Sequence, residues 1–122
     1  MDIHEKKIGD ITVFTLDGGL GLDNYREFSR RMDALISPER KKVIIDLDQL
    51  TYLSSWGIGI LVSVAGKIRK TGGVAKFANL HSEIAGVLHV MRLDKVLDLY
   101  PSVDDAVESL NEGAAQPPKK EG

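Results

Sequence analysis

Two adjacent serines, Ser54 and Ser55, stand where an extended apolar run, Leu50-Thr51-Tyr52-Leu53, gives way to a stretch that is apolar almost all round a helix, Ile58 to Ile68. Serine at such a junction suits two kinds of chemistry. One is nucleophilic attack, which needs a neighbouring base. The other is phosphorylation, because a helix start exposes unpaired N–H groups and a partial positive charge that stabilise a phosphate. One serine can cap the helix while the other projects from the surface. Gly57 and Gly59 follow and leave room for another chain to approach, and Trp56, the one tryptophan of the sequence, falls in the first turn. A large aromatic residue exposed there would be an interface anchor. A purely structural reading stands beside this one: serine is an ordinary N-cap, Trp56 can fold over the sheet edge, and the glycines can serve helix–sheet packing alone.

Other chemistries find little support. Hydrolases of the α/β type place their serine in Gly-x-Ser-x-Gly, whereas Leu53 and Trp56 flank this pair. His4, His81 and His89 are far apart in the chain, and none has an obvious acidic partner. The absence of cysteine excludes disulfides, cysteine-ligated metals, iron–sulfur clusters and thiol catalysis. Gly18-Gly19-x-Gly21 lacks the spacing and the lysine of a phosphate-binding loop. The expectation is a protein that is not an enzyme and needs neither cofactor nor metal.

The elements that must hold the serines follow from periodicity. Residues 3–8 and 11–16 read as two strands joined at Gly9-Asp10. Asp17-Gly18-Gly19-Leu20-Gly21 breaks the second strand, and a helix starts near Asp23 or Asn24 with Phe28, Met32, Leu35 and Ile36 on one face. Lys42–Leu47 is continuously apolar at its centre, which marks a strand buried on both faces. Lys67, Arg69 and Lys70 close the helix after the serines, and Gly72-Gly73 stops it. Val74–Ala78 is a strand, Ser82 caps a helix with Ile84, Val87, Leu88 and Met91, Val96–Tyr100 is the last strand, and Ser102 caps a final helix. The order β-β-α-β-α-β-α-β-α implies an α/β sandwich with parallel crossovers.

At 122 residues the chain has room for one domain and a core that needs no covalent staple. Sixteen Lys and Arg against eighteen Asp and Glu, a net charge of −2, argue against direct nucleic-acid binding. No secretory signal opens the chain, and the apolar stretch from Leu50 to Gly66 is too short and too polar for membrane insertion. A cytoplasmic protein is expected, with a domain over residues 1–112 and a disordered tail over 113–122, where Gly, Pro, Lys and Glu leave nothing to bury.

The run from Val43 to Gly59, Val-Ile-Ile-Asp-Leu-Asp-Gln-Leu-Thr-Tyr-Leu-Ser-Ser-Trp-Gly-Ile-Gly, resembles the signature of STAS domains, the anti-sigma factor antagonist fold. That signature is an apolar strand, Asp-Leu, an apolar-Thr-aromatic-apolar run, and then Asp-Ser-Ser/Thr-Gly-Leu-Gly or Ile-Ser-Ser-Ala-Gly-Leu. The resemblance extends through Leu16-Asp17-Gly18-Gly19-Leu20 and the Gly72-Gly73 turn, over about residues 2–111. It implies a small STAS-like sandwich, α/β with a mixed, mainly parallel sheet and helices packed on it. It also implies a phosphorylation-switched binding module. Unphosphorylated, such a protein sequesters an anti-sigma factor, often a serine-protein kinase, and so regulates transcription; a metal-dependent serine phosphatase reverses the modification. Alignment on Gly57 puts the phosphoacceptor at Ser55, with Ser54 as the alternative, and a partner surface at Ser54, Ser55, Trp56, Gly57, Gly59, Leu20 and Gly21. Two positions depart from the pattern: Ser54 replaces the usual Asp, and Trp56 replaces the second Ser or Thr. A STAS subunit of a transporter or signalling scaffold that is never phosphorylated is the rival role, and a homodimer is left open.

Overall fold

In the computed structural model, residues 1–93 and 96–115 are described. Strand β1 (Asp2–Ile8) turns at Gly9-Asp10 into β2 (Ile11–Leu20), with Ile8 opposite Ile11 and Asp2 opposite Asp17. Gly9 has φ +61°, which a glycine takes without the steric cost of a side chain. Helix α1 (Tyr25–Leu35) leads to β3 (Lys42–Asp46) and a short β4 (Leu50–Leu53), followed by α2 (Ser55–Lys70), β5 (Val74–Ala78), α3 (Ser82–Val90), β6 (Leu99–Tyr100) and α4 (Val103–Ala115).

The sheet order is β1-β2-β3-β5-β6, and β4 adds to the far end of β2. Only β1 and β2 are antiparallel; the other pairings among the described residues are parallel. The sheet is thus mixed and mainly parallel, as expected. Its centre is β3, where Val43, Ile44 and Ile45 are buried on alternating faces. One face packs Phe14, Val43, Ile45 and Phe77 against Phe28 and Met32 of α1, Ile58, Leu61, Ala65 and Ile68 of α2, and Leu88 of α3. The other face buries Ile11, Val13, Ile44 and Ala78 beneath Ala106 and Leu110 of α4. Such a two-sided cover is what a continuous apolar strand requires.

Several boundaries differ from the sequence expectation. The glycine run does not break β2: Gly18, Gly19 and Leu20 remain in the strand and pair with β4 through a register shift at Gly18/Gly19. The expected last strand shortens to Leu99–Tyr100, with Leu97 in the preceding turn though fully buried. Ser82 lies in the first helical turn of α3 rather than before it. Met91 follows the end of α3 and is exposed instead of facing the core. Ser102 does cap α4, its Oγ accepting from the Asp105 N–H at 3.0 Å. That helix runs on to Ala115, so Gly113, Ala114 and Ala115 belong to it, and the rest of the expected tail, 116–122, lies outside the described residues.

Candidate functional site

The serine pair sits where the end of β2, β4 and the start of α2 meet. Ser54 is the N-cap of α2: its backbone is extended, its N–H donates to the Leu20 carbonyl at 3.0 Å, and its Oγ accepts from the Gly57 N–H at 3.4 Å. The cap side chain is therefore turned toward the helix. Ser55 is the first helical residue, and it is exposed. Its hydroxyl makes no hydrogen bond among the described residues. The two serines have divided the roles that the sequence left open, one as cap and one as a free hydroxyl at a helix start.

The two glycines divide as well. Gly57 is buried, and a Cβ there would lie 2.5 Å from the Leu20 carbonyl oxygen and 2.7 Å from Leu53 Cδ1. Its missing side chain lets α2 approach the sheet of its own chain. Gly59 faces open space with nothing within 4 Å of a would-be Cβ. Leu20 is fully buried and Gly21 is buried too. Leu20, Gly21 and Gly57 thus support the site from beneath, because their surfaces are already used by the chain's own packing. Ser55, Trp56 and Gly59 form its exposed part, with Ser54 half-buried between them.

Trp56 is 51% exposed. It does not fold over the sheet edge but stacks on Tyr25, the first residue of α1, with ring centroids 5.0 Å apart and planes inclined by 26°. Arg26 also contacts Tyr25: its Nε donates to the Tyr25 hydroxyl at 3.1 Å, and its guanidinium lies 5.5 Å from the Tyr25 ring centre. Leu22, 64% exposed, occupies the turn before α1. From Ser55 to Gly66 helix α2 carries no charged side chain, and Trp56, Gly59 and Ser63 are exposed along it. Exposed apolar surface of this kind, held rigidly on helix starts, is suited to contact with another protein.

Tyr52 and Asn24 fix the turn beside the serines. The Tyr52 ring lies across the glycine run, where a Cβ on Gly19 or Gly21 would collide with it. Its hydroxyl donates to Asp23 Oδ1 at 3.1 Å, and that carboxylate holds the phenol above its usual value of 10.0. Asn24, which precedes α1, accepts from the Gly21 N–H at 2.9 Å and donates to the Gly19 carbonyl at 2.8 Å. Gly19 and Gly21 are thus the floor on which an aromatic ring rests. The sequence pattern singles out neither Leu22 nor Tyr25, and it places Asp23 only at a helix start and Tyr52 only within the signature run. An apolar residue in a Gly/Asp-rich turn was the available signal for Leu22; the Tyr25–Trp56 stack spans elements and leaves no local signature.

Among the three histidines, His4 does have an acidic neighbour. Its Nε2 lies 3.6 Å from Asp17 Oδ2, across the β1–β2 pair and away from the serines. No helix among the described residues is long and apolar enough to cross a membrane.

Comparison with known proteins agrees with this architecture. An anti-sigma factor antagonist from Mycobacterium paratuberculosis superposes with a TM-score of 0.79 at 22% identity, covering 90% of this chain and 93% of that one. The Bacillus anti-sigma factor antagonist SpoIIAA, whose structure is known in unphosphorylated and phosphorylated forms, matches with TM-scores of 0.65 and 0.64 at 12% and 14% identity; coverage is 94% and 89% of this chain and 100% and 99% of SpoIIAA. Murine Slc26a9, an anion transporter, contains a similar unit: the TM-score is 0.76 at 17% identity over 88% of this chain but 18% of the transporter. At these identities the likeness is one of fold. The STAS domain family model matches residues 2–106, nearly the whole of the described structure, and the chain belongs to the STAS domain family.

Proposed function

We propose that this STAS domain is an anti-sigma factor antagonist, a binding module without catalytic activity whose contact face is switched by phosphorylation of Ser55. The observation that carries the reading is the separation of duties at the start of α2. Ser54 caps the helix, while Ser55 offers an exposed hydroxyl with no hydrogen bond among the described residues, beside Trp56. A phosphate on Ser55 adds about −1.5 to −2 charges at pH 7. The amino end of its own helix accommodates that charge, so the fold need not open. A partner surface shaped for Trp56, Leu22 and Gly59 does not, and a loss of about 1.4 kcal/mol already weakens a complex tenfold. The partner is an anti-sigma factor that also serves as the serine kinase, with a metal-dependent phosphatase restoring the hydroxyl. Solved forms of SpoIIAA with and without phosphate support a switch of this type on this fold.

Trp56 gives the face a distinct shape. Stacked on Tyr25 and exposed, it is a rigid aromatic anchor for a partner with a matching pocket. The test is a titration of wild type, Ser55→Ala and Ser55→Asp against the cognate anti-sigma factor. Ser55→Ala should bind like wild type and stay bound in the presence of ATP, whereas Ser55→Asp should fold normally and bind at least tenfold more weakly. Equal affinity of all three would remove the switch. The similarity to the domain within Slc26a9 favours a second reading, a STAS subunit of a transporter or scaffold complex. On that reading Ser55→Asp leaves partner affinity unchanged, and the protein co-purifies with a membrane permease.

A further inference from the structure

We propose that Asp2, His4 and Asp17 form a binding site for a divalent transition-metal cation that clips the edge strand β1 to β2. The site follows from strand geometry. Asp2 and His4 alternate onto the same face of β1, and Asp17 stands directly opposite Asp2 on β2. One ligand atom from each, a carboxylate oxygen from either aspartate and an imidazole nitrogen from His4, lies within 4.8 Å of the other two. Three points so spaced share a centre no more than about 2.8 Å from each, and zinc takes such ligands at about 2.0–2.2 Å. All three residues are exposed, so small side-chain rotations close the difference.

The electrostatics of the hairpin point to a cation independently of that spacing. Like charges directly opposed on an antiparallel pair are destabilising, and Asp2 and Asp17 are such a pair. Among the described residues no lysine or arginine forms an ion pair with either. Among the described residues the one ion pair either aspartate makes is with His4, whose Nε2 lies 3.6 Å from Asp17 Oδ2, beyond hydrogen-bond length. A divalent ion between the three converts this repulsion into shared attraction. It also ties down a strand that has only one neighbour in the sheet.

The donor set selects the kind of ion. Calcium and magnesium favour shells of oxygen ligands, while an imidazole with carboxylates suits zinc, nickel, cobalt or copper. Three protein donors leave the remaining coordination positions to water. The inference rests on none of the residues of the Ser55 face, so either proposal can fail without the other.

The experiment is a calorimetric titration of the full-length protein with zinc chloride in a non-chelating buffer, paired with thermal melts with and without the metal. One zinc per chain is expected, with a dissociation constant tighter than about 100 μM and a higher melting midpoint when zinc is present. His4→Gln and Asp17→Asn should each weaken binding at least about tenfold and abolish the zinc-dependent rise. Both positions are exposed, so metal-free midpoints should stay close to wild type. His81→Ala, outside the cluster, should bind zinc like wild type. No binding, several zinc ions per chain, or affinity that survives both His4→Gln and Asp17→Asn would overturn the assignment.

Discussion

Replacing Gly57 and Gly59 separately by alanine should move stability in opposite directions. At Gly57 the new methyl group would sit 2.5 Å from the Leu20 carbonyl oxygen, 2.7 Å from Leu53 Cδ1 and 3.0 Å from Leu20 Cγ. The Leu53 side chain can rotate, but the carbonyl is backbone and also accepts the Ser54 N–H at 3.0 Å. Relief therefore requires the start of α2 to lift away from β2 and stretch that hydrogen bond. Overpacking of this kind costs about 1–3 kcal/mol, against a gain of at most about 1 kcal/mol from helix propensity. The net expectation for Gly57→Ala is a loss of about 1–2 kcal/mol, or a fall in melting midpoint of about 4–8 °C. At Gly59 nothing lies within 4 Å of the added methyl. Only the propensity gain remains, and Gly59→Ala should stabilise by about 0.5–1 kcal/mol. Urea unfolding of the three proteins at equal m-value measures the difference. Wild-type stability in Gly57→Ala, or a loss in Gly59→Ala, would refute the packing described for the start of α2.

Trp56→Ala should weaken partner binding by about 2 kcal/mol or more if Trp56 is the anchor, yet cost less stability than the roughly 3–5 kcal/mol of a buried tryptophan; unfolding with unchanged affinity would place Trp56 in a structural role alone. Ultraviolet titration of the tyrosines should show the Tyr52 phenol ionising above pH 10.0, and Asp23→Asn should bring it down. Because the folded-state value is raised, the contribution of the Tyr52–Asp23 bond is complete below the usual tyrosine value and is lost as pH climbs through the raised one; a wild-type titration identical to that of Asp23→Asn would contradict it. Lys76 is held by Asp98 at 2.6 Å and the Tyr100 hydroxyl at 3.0 Å, bonds that keep it charged against the effect of burial. Lys76→Met should therefore destabilise the β5–β6 edge by about 1–3 kcal/mol, read by chemical denaturation.

The parts legible in the sequence were those written in local pattern. Val43, Ile44 and Ile45 announced a strand covered on both faces, and that strand is the centre of the sheet. The two-residue turn at Gly9-Asp10, a serine cap at the start of α2, the cap at Ser102 and the stop at Gly72-Gly73 follow from backbone chemistry over a few residues, though which of Ser54 and Ser55 caps α2 does not. What depended on contacts between distant segments stayed hidden. The run Leu50–Leu53 reads as extended, but that β4 exposes Thr51 and Tyr52 and pairs with a bulged end of β2 more than thirty positions earlier is marked by no local pattern. The glycine run looked like a break because the partner of Gly19 and Gly21, the Tyr52 ring, is remote in the chain. Gly57 matched both a docking face and helix–sheet packing, and only the position of the Leu20 carbonyl decides for packing. His4 and Asp17 are brought together by hairpin register, which sequence separation conceals.

On the proposed function Ser55, and not its capping neighbour Ser54, carries the regulatory phosphate. Phosphosite mapping by mass spectrometry, on protein isolated from its native cell and after incubation with the cognate kinase and ATP, tests it most directly. Phosphate confined to Ser55, removed by the phosphatase and absent from Ser55→Ala, is the expected result. Phosphate on Ser54, or none at the start of α2 in either sample, would contradict it.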